Sequence, residues 1–232
     1  MNNKKSYLLA GASSSIAKQC ATILKSEGNR VIGISRSEDT KEEYDEFFKV
    51  KGYGKNDFPL INEPLHGLVY FPGTITLKPF GKLSGDDFSA DFQINTLGAL
   101  YFTQNYLNNL KSSDGGAVVF VSSVAVKTGI PFHVSVAMSK GALEGIVPSL
   151  AAELSPKIRV NAVAPSLTDS RISERFLNSP EKKSAALQRN PMKKIGTPEE
   201  VAHAVCFLLS SRSSWITGQV LAIDGGMNNL KL

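Results

Sequence analysis

Tyr7-Leu8-Leu9-Ala10-Gly11-Ala12-Ser13-Ser14-Ser15-Ile16-Ala17 decides the fold. Its apolar start reads as a short buried strand, and the small residues after Gly11 read as a tight turn into a helix. The helix continues through Lys18–Lys25 and stops at Gly28, and a second strand, Arg30–Arg36, completes a βαβ unit. A helix start leaves unpaired N–H groups and a partial positive charge, so such a turn is a ready anion site. Gly11 permits the sharp bend, and Ser13, Ser14, Ser15 and Ile16 lie where a pyrophosphate would be held. A short Gly/Ser connection is by itself a weak signal. Arg36 sharpens it: a basic residue at the end of the second strand accommodates a ribose 2′-phosphate, where a carboxylate would instead hold a 2′-hydroxyl. With Ser35 and Ser37 beside it, Arg36 predicts NADP(H) over NAD(H).

Outward from this unit, strand and helix alternate to the end of the chain. Apolar strands are predicted at Gly67–Phe71, Ala117–Val121, Ile158–Val163 and Gln219–Ile223. Helices are predicted from Asp86 to Leu110, from about Val134 to Leu154, and from Thr197 to Leu209. The last has Thr197 as N-cap, Pro198 at its first position and Glu in its first turn. Lys41–Phe48 offers a short helix or the entry to a third strand near Phe47–Val50. Pro148 is expected to interrupt the helix from Val134. The fold class is therefore α/β, a Rossmann-like doubly wound parallel sheet flanked by helices, in a single domain over residues 1–232. Residues 167–194, polar and bounded by prolines, form a long excursion after a strand end, the usual form of a substrate lid.

The composition is that of a globular protein: 232 residues, 42% hydrophobic, 20% charged, net charge +5. A positive balance suits an anionic ligand. No run of Lys and Arg interleaved with aromatics argues for nucleic acid, and no apolar run is long enough for a membrane span. Cys20 and Cys206 lie far apart in apolar helical patterns without metal-ligand spacing, and read as core residues of a reduced, cytoplasmic protein. The first residues run straight into a strand, leaving no room for a signal peptide.

Asn161-Ala162-Val163-Ala164-Pro165, Gly196-Thr197-Pro198-Glu199-Glu200-Val201 and Ile216-Thr217-Gly218-Gln219 through Asp224-Gly225-Gly226 resemble the short-chain dehydrogenase/reductase family, over essentially the whole chain. The resemblance implies a site of Asn95, Ser123 and Lys140. Four residues before Lys140 and thirteen after Ser123 stands Val136, where the family carries the Tyr that serves as general acid/base. Valine cannot transfer a proton. The resemblance further implies that Lys140 binds the cofactor ribose and Ser123 polarises the substrate oxygen. By the same resemblance, Pro72, Gly73 and Pro165 stand at the strand ends that flank the cofactor, and Thr168 and Ser170 where the family contacts the nicotinamide carboxamide. Where the family has a glycine-rich turn, this chain has Gly11, Ser15 and Ala17, the replacements still small.

Ser15-Ile16-Ala17 matches the enoyl-reductase branch, which places its Tyr seven residues before Lys; that position here is His133. Imidazole is a competent acid near neutral pH, so His133 is a candidate proton donor, although a lone His in a loop is more often a bystander. The expected activity is reduction of a carbonyl or enoyl small molecule, anionic or carrier-bound, with a homo-oligomer as the expected assembly. A catalytically silent NADP(H)-binding relative, acting as partner subunit or redox sensor, is the alternative.

Overall fold

A computed structural model describes residues 4–230. The first strand, β1 (Ser6–Ala10), leads through the turn into α1 (Ser15–Ser26) and back into β2 (Arg30–Ser35). Buried Ala17, Cys20, Ala21 and Leu24 form one stripe of α1, the spacing of a helix laid on a sheet. Beyond β2, of the two readings over 41–50 the helix is corrected and the entry to a third strand is found. A single 3₁₀ turn, Lys41–Glu43, is followed by β3 (Glu46–Lys49). The chain reaches β4 (Gly67–Tyr70) without any crossover helix, because Gly52, Gly54, Pro59 and Pro64 leave no uninterrupted stretch for one.

The strands β5 (Gly116–Val121), β6 (Ile158–Pro165) and β7 (Val220–Ile223) complete a seven-stranded sheet of order β3-β2-β1-β4-β5-β6-β7. Every pair in it is parallel. Strand order reverses between β1 and β4, and the crevice beyond their carboxyl ends is where such sheets take ligands. Two apolar clusters cover the faces. One centres on Phe102, Tyr106, Phe120 and Leu143, the other on Cys20, Val119, Val205 and Cys206. Both cysteines are thus core residues.

The helix predicted over 86–110 is not continuous. Its parts are α2 (Gly85–Phe92), a π turn (Gln93–Leu97), α3 (Gly98–Asn105) and, past a break at Tyr106, α4 (Leu107–Lys111). The π turn frees the Ile94 carbonyl, which accepts a hydrogen bond from the Tyr70 hydroxyl at 2.8 Å. A Cβ at position 98 would collide with that hydroxyl, so Gly98 is what lets the two elements meet.

By contrast α5 (Val134–Leu154) runs unbroken through Pro148. Pro148 lies on the exposed face, where water can satisfy the carbonyl its ring leaves unpaired. Residues 167–194 contain α6 (Glu174–Leu177) and α7 (Pro180–Arg189). The predicted cap of α8 (Pro198–Leu209) is present as a reciprocal Thr197–Glu200 capping box. No helix among the described residues is long and apolar enough to cross a membrane.

Candidate active site

A cleft of about 1240 Å³ opens along the carboxyl ends of the strands. Gly11, Ser13, Ser14, Ser15, Ile16, Ser35, Arg36 and Ser37 line one stretch of it. Pro72, Gly73, Ser123, His133, Val136, Lys140, Pro165, Thr168 and Ser170 line the rest. Of the residues singled out from the sequence, only Asn95 is absent from the wall. It lies directly behind, fully buried.

The turn after β1 is built to admit a ligand. Gly11 has φ of +75°, and a Cβ there would come within 2.9 Å of Pro72 Cδ. Its amide donates to Ile34 O at 2.8 Å, clamping the turn to β2. Ser14 caps α1, its Oγ accepting from the Ala17 amide at 3.1 Å. The remaining first-turn amides, on Ser15 and Ile16, are those a helix start leaves for an anion. Ser35 Oγ donates to Ser13 Oγ at 3.0 Å, fastening the turn to the strand end that carries Arg36. The Arg36 guanidinium sits 5.7 Å from the Tyr53 ring centroid, within cation–π range. Tyr53 lines the cleft and was not singled out from sequence; an aromatic in a Gly-rich loop gave no periodic signal.

At the other end a buried polar network supports the wall. Asn95 Oδ1 accepts from the Thr74 amide at 2.9 Å, while its Nδ2 donates to Thr74 O at 3.1 Å and to Ser139 Oγ at 3.0 Å. Asn95 is therefore neither solvent-facing nor merely bonded along its own helix. One turn earlier, Asp91 is 1% exposed. Its carboxylate accepts from Thr74 Oγ1 at 2.7 Å, Thr76 Oγ1 at 3.1 Å and Ser135 Oγ at 2.7 Å. Thr74 thus joins Asp91 to Asn95, and Ser135 and Ser139 join both to α5. Sequence reasoning passed over Asp91, Ser135 and Ser139. The available signal was an acid four residues before Asn95, on one face of a helix.

Lys140 Nζ donates to Val121 O at 2.7 Å, tying α5 to the end of β5. Burial of the ammonium lowers its pKa to about 8, and the Asp91 charge acts in the opposite direction. A Cβ on Gly73 would stand 3.1 Å from Asn95 Oδ1 and 3.5 Å from Lys140 Nζ, so Gly73 keeps this corner open. Ser123 Oγ accepts from the Ala125 amide at 3.2 Å, which leaves its own proton for a ligand oxygen. Val136 is 2% exposed and presents only methyl groups. His133 is the N-cap residue of α5, with Nδ1 2.8 Å from Pro131 O. In the neutral ring this places the proton on Nδ1 and leaves Nε2 an acceptor. Among the described residues no cluster of His, Cys, Asp and Glu could hold a metal ion.

The donor set fits a dinucleotide: a glycine cradle and helix N-terminus for the pyrophosphate, Arg36 for an added phosphate, Lys140 for a ribose. A family model described as enoyl-(acyl carrier protein) reductase matches residues 61–228. L-Xylulose reductase of Caenorhabditis elegans is 32% identical over 241 residues, covering 97% of this chain and 96% of that protein. A 3-oxoacyl-(acyl-carrier-protein) reductase of Thermotoga maritima is 33% identical over 245 residues, covering 96% and 97%. A tropinone reductase homolog of Arabidopsis thaliana is 37% identical over 164 residues, 70% of this chain; the match spans about half of that relative, 53%. Among solved structures, Thermoplasma acidophilum aldohexose dehydrogenase in its ligand-free form superposes with a TM-score of 0.90 at 25% identity, covering 99% and 96%. ElxO with NADP bound superposes with a TM-score of 0.87 at 25% identity, covering 98% and 100%.

Proposed function

Because the chain belongs to the short-chain dehydrogenase/reductase family, and is thereby an oxidoreductase by descent, we propose that it is an NADP(H)-dependent reductase of a carbonyl or conjugated C=C in a small molecule. The observation that carries this reading is the single cleft that joins Gly11, Ser15 and Arg36 to Ser123 and Lys140. NADPH, when bound, supplies a hydride. Gly11 and the α1 N-terminus bind its pyrophosphate, and the Arg36 guanidinium, braced on Tyr53, binds the 2′-phosphate. The Ser123 hydroxyl donates to the substrate oxygen. Lys140, held between Val121 O and the ribose, keeps a proton close to neutral pH and can pass it on. Asn95 and Asp91 position α5 and the Thr74 loop around that ammonium.

This site differs from the family pattern in lacking the phenol at position 136. General acid/base catalysis contributes typically 10²–10⁴-fold, so positioning without Tyr leaves a slow enzyme rather than none. Protonation then falls to Lys140, to His133 when both ring nitrogens carry a proton, or to water beside Asn95. The buried methyls of Val136 also favour a second reading: a silent NADP(H) binder that partners an active relative or senses cofactor redox state. Steady NADPH oxidation across a panel of ketones, aldehydes and enoyl compounds, reduced by Ser123→Ala, supports the reductase. Tight NADPH binding without any turnover assigns the silent role. In either role we expect a cytoplasmic homo-oligomer assembled through the helices that carry Asn95 and Lys140, with residues 167–194 as lid of a single domain.

A further inference from the structure

The lid segment, residues 167–194, carries seven basic and three acidic side chains. Arg171, Arg175, Lys182, Arg189 and Lys194 line the cleft, whereas Asp169, Glu174 and Glu181 do not. No Asp or Glu lines the cleft anywhere among the described residues. Among the described residues only Lys194 of these five has a counter-charge, Glu200 at 2.5 Å. Arg175 donates instead to Ile75 O at 2.8 Å, bridging from α6 to the loop that carries Thr74. Lys182 donates to Arg175 O at 3.1 Å and Asn178 Oδ1 at 2.8 Å. Among the described residues Arg171 and Arg189 have no carboxylate partner.

Four cations around one concavity repel one another until an anion enters. Arg is the side chain whose fork matches phosphate oxygens. At about 1240 Å³ the cleft exceeds the ~300–1000 Å³ that one small ligand fills, leaving room beside a dinucleotide. Arg36, at the other end, serves the cofactor and is not part of this group.

We propose that this wall is a phosphate subsite, and that the substrate is a small carbonyl or enoyl compound bearing a phosphate group held by Arg171, Arg175 and Arg189. The proposal rests on the reductase reading of the cleft and names its substrate class. A free phosphate ester and the phosphate of a carrier's prosthetic arm share this chemistry. The small ester is the better fit, because the unpaired bases face into the cleft while Lys183 and Lys193 alone lie outside its wall.

The test uses the full chain saturated with NADP⁺, so that the Arg36 site is filled, and titrates inorganic pyrophosphate by calorimetry. Binding is expected, weakening with added salt. It should fall about tenfold or more in Arg171→Gln/Arg189→Gln and be unchanged in Lys183→Gln. All three positions are exposed, and circular dichroism checks that each variant folds. In turnover, a 2-oxoalkyl phosphate should be used with a lower KM than its dephosphorylated ketone, a difference lost in the double variant. Absent pyrophosphate binding, or binding indifferent to the double variant, overturns the subsite. Turnover of a carrier-bound thioester with no preference for the free ester overturns the choice of small ester. Should the chain fail to bind NADP⁺ at all, the reductase reading falls by itself. Without cofactor, the difference in pyrophosphate binding between the parent and Arg171→Gln/Arg189→Gln still decides whether the lid wall takes an anion.

Discussion

Replacing Lys140 with Met should change how stability depends on pH. In the folded chain the Lys140 ammonium is buried and its pKa lowered from 10.5 to about 8. Below pH 8 both folded and unfolded chains hold the proton, and the fold bears the full cost of burying the charge. Between pH 8 and 10.5 the folded chain has released the proton while the unfolded chain keeps it, so stability rises with pH across that window. At about 1.36 kcal/mol per pH unit the rise totals about 3 kcal/mol, most of it realised by pH 10. Lys140→Met keeps most of the side chain's length without the charge and lacks this rise. The groups shared by both chains cancel in the comparison. The assay is urea denaturation of both proteins at pH 7, 8, 9 and 10. Parallel stability profiles would refute the account of Lys140 as a buried, nearly neutral-range acid. The same titration predicts that reductase activity declines above pH about 8, as the proton available for transfer is lost.

The buried carboxylate of Asp91 satisfies three hydroxyls at once. Asp91→Ala should therefore destabilise the chain by about 3 kcal/mol or more, read as a fall in the urea midpoint, whereas a change under about 1 kcal/mol would mean that the network is not structural. Gly11→Ala meets both the positive φ and Pro72, and should cost about 1–3 kcal/mol of stability and weaken NADPH binding; unaltered affinity by fluorescence titration would contradict the cradle. Val136→Tyr should raise turnover by about 10²–10⁴-fold, measured as NADPH oxidation, in spite of about 1–3 kcal/mol of overpacking. A variant no faster than the parent would show that proton transfer does not limit the reaction.

Much of the fold was legible because a buried parallel sheet writes itself as short apolar runs. The strands at Tyr7, Gly67, Ala117 and Ile158, and the helices from Val134 and Pro198, lie where periodicity and capping residues place them. The segment 37–64 was not legible. Among the described residues its short strand pairs only with β2, and a loop with four Gly and Pro residues carries no period. The π turn at Gln93–Leu97 was equally hidden, since one extra residue per turn disturbs an apolar pattern too little to see. At the site, the wall residues from Gly11 to Lys140 were found through turn chemistry and family resemblance. Asp91, Ser135 and Ser139 were missed because each reads alone as a surface polar residue. Only the packing of α2 against α5 makes them partners.

The central claim, a reduced dinucleotide gripped through its added phosphate by Arg36, is tested most directly by calorimetric titration of the chain and of Arg36→Ala with NADPH and NADH. The account predicts that NADPH binds more tightly than NADH, and that Arg36→Ala weakens NADPH about ten- to a hundredfold while leaving NADH nearly unchanged. Equal affinity for the two dinucleotides, or an Arg36→Ala chain that binds NADPH as the parent does, would contradict it.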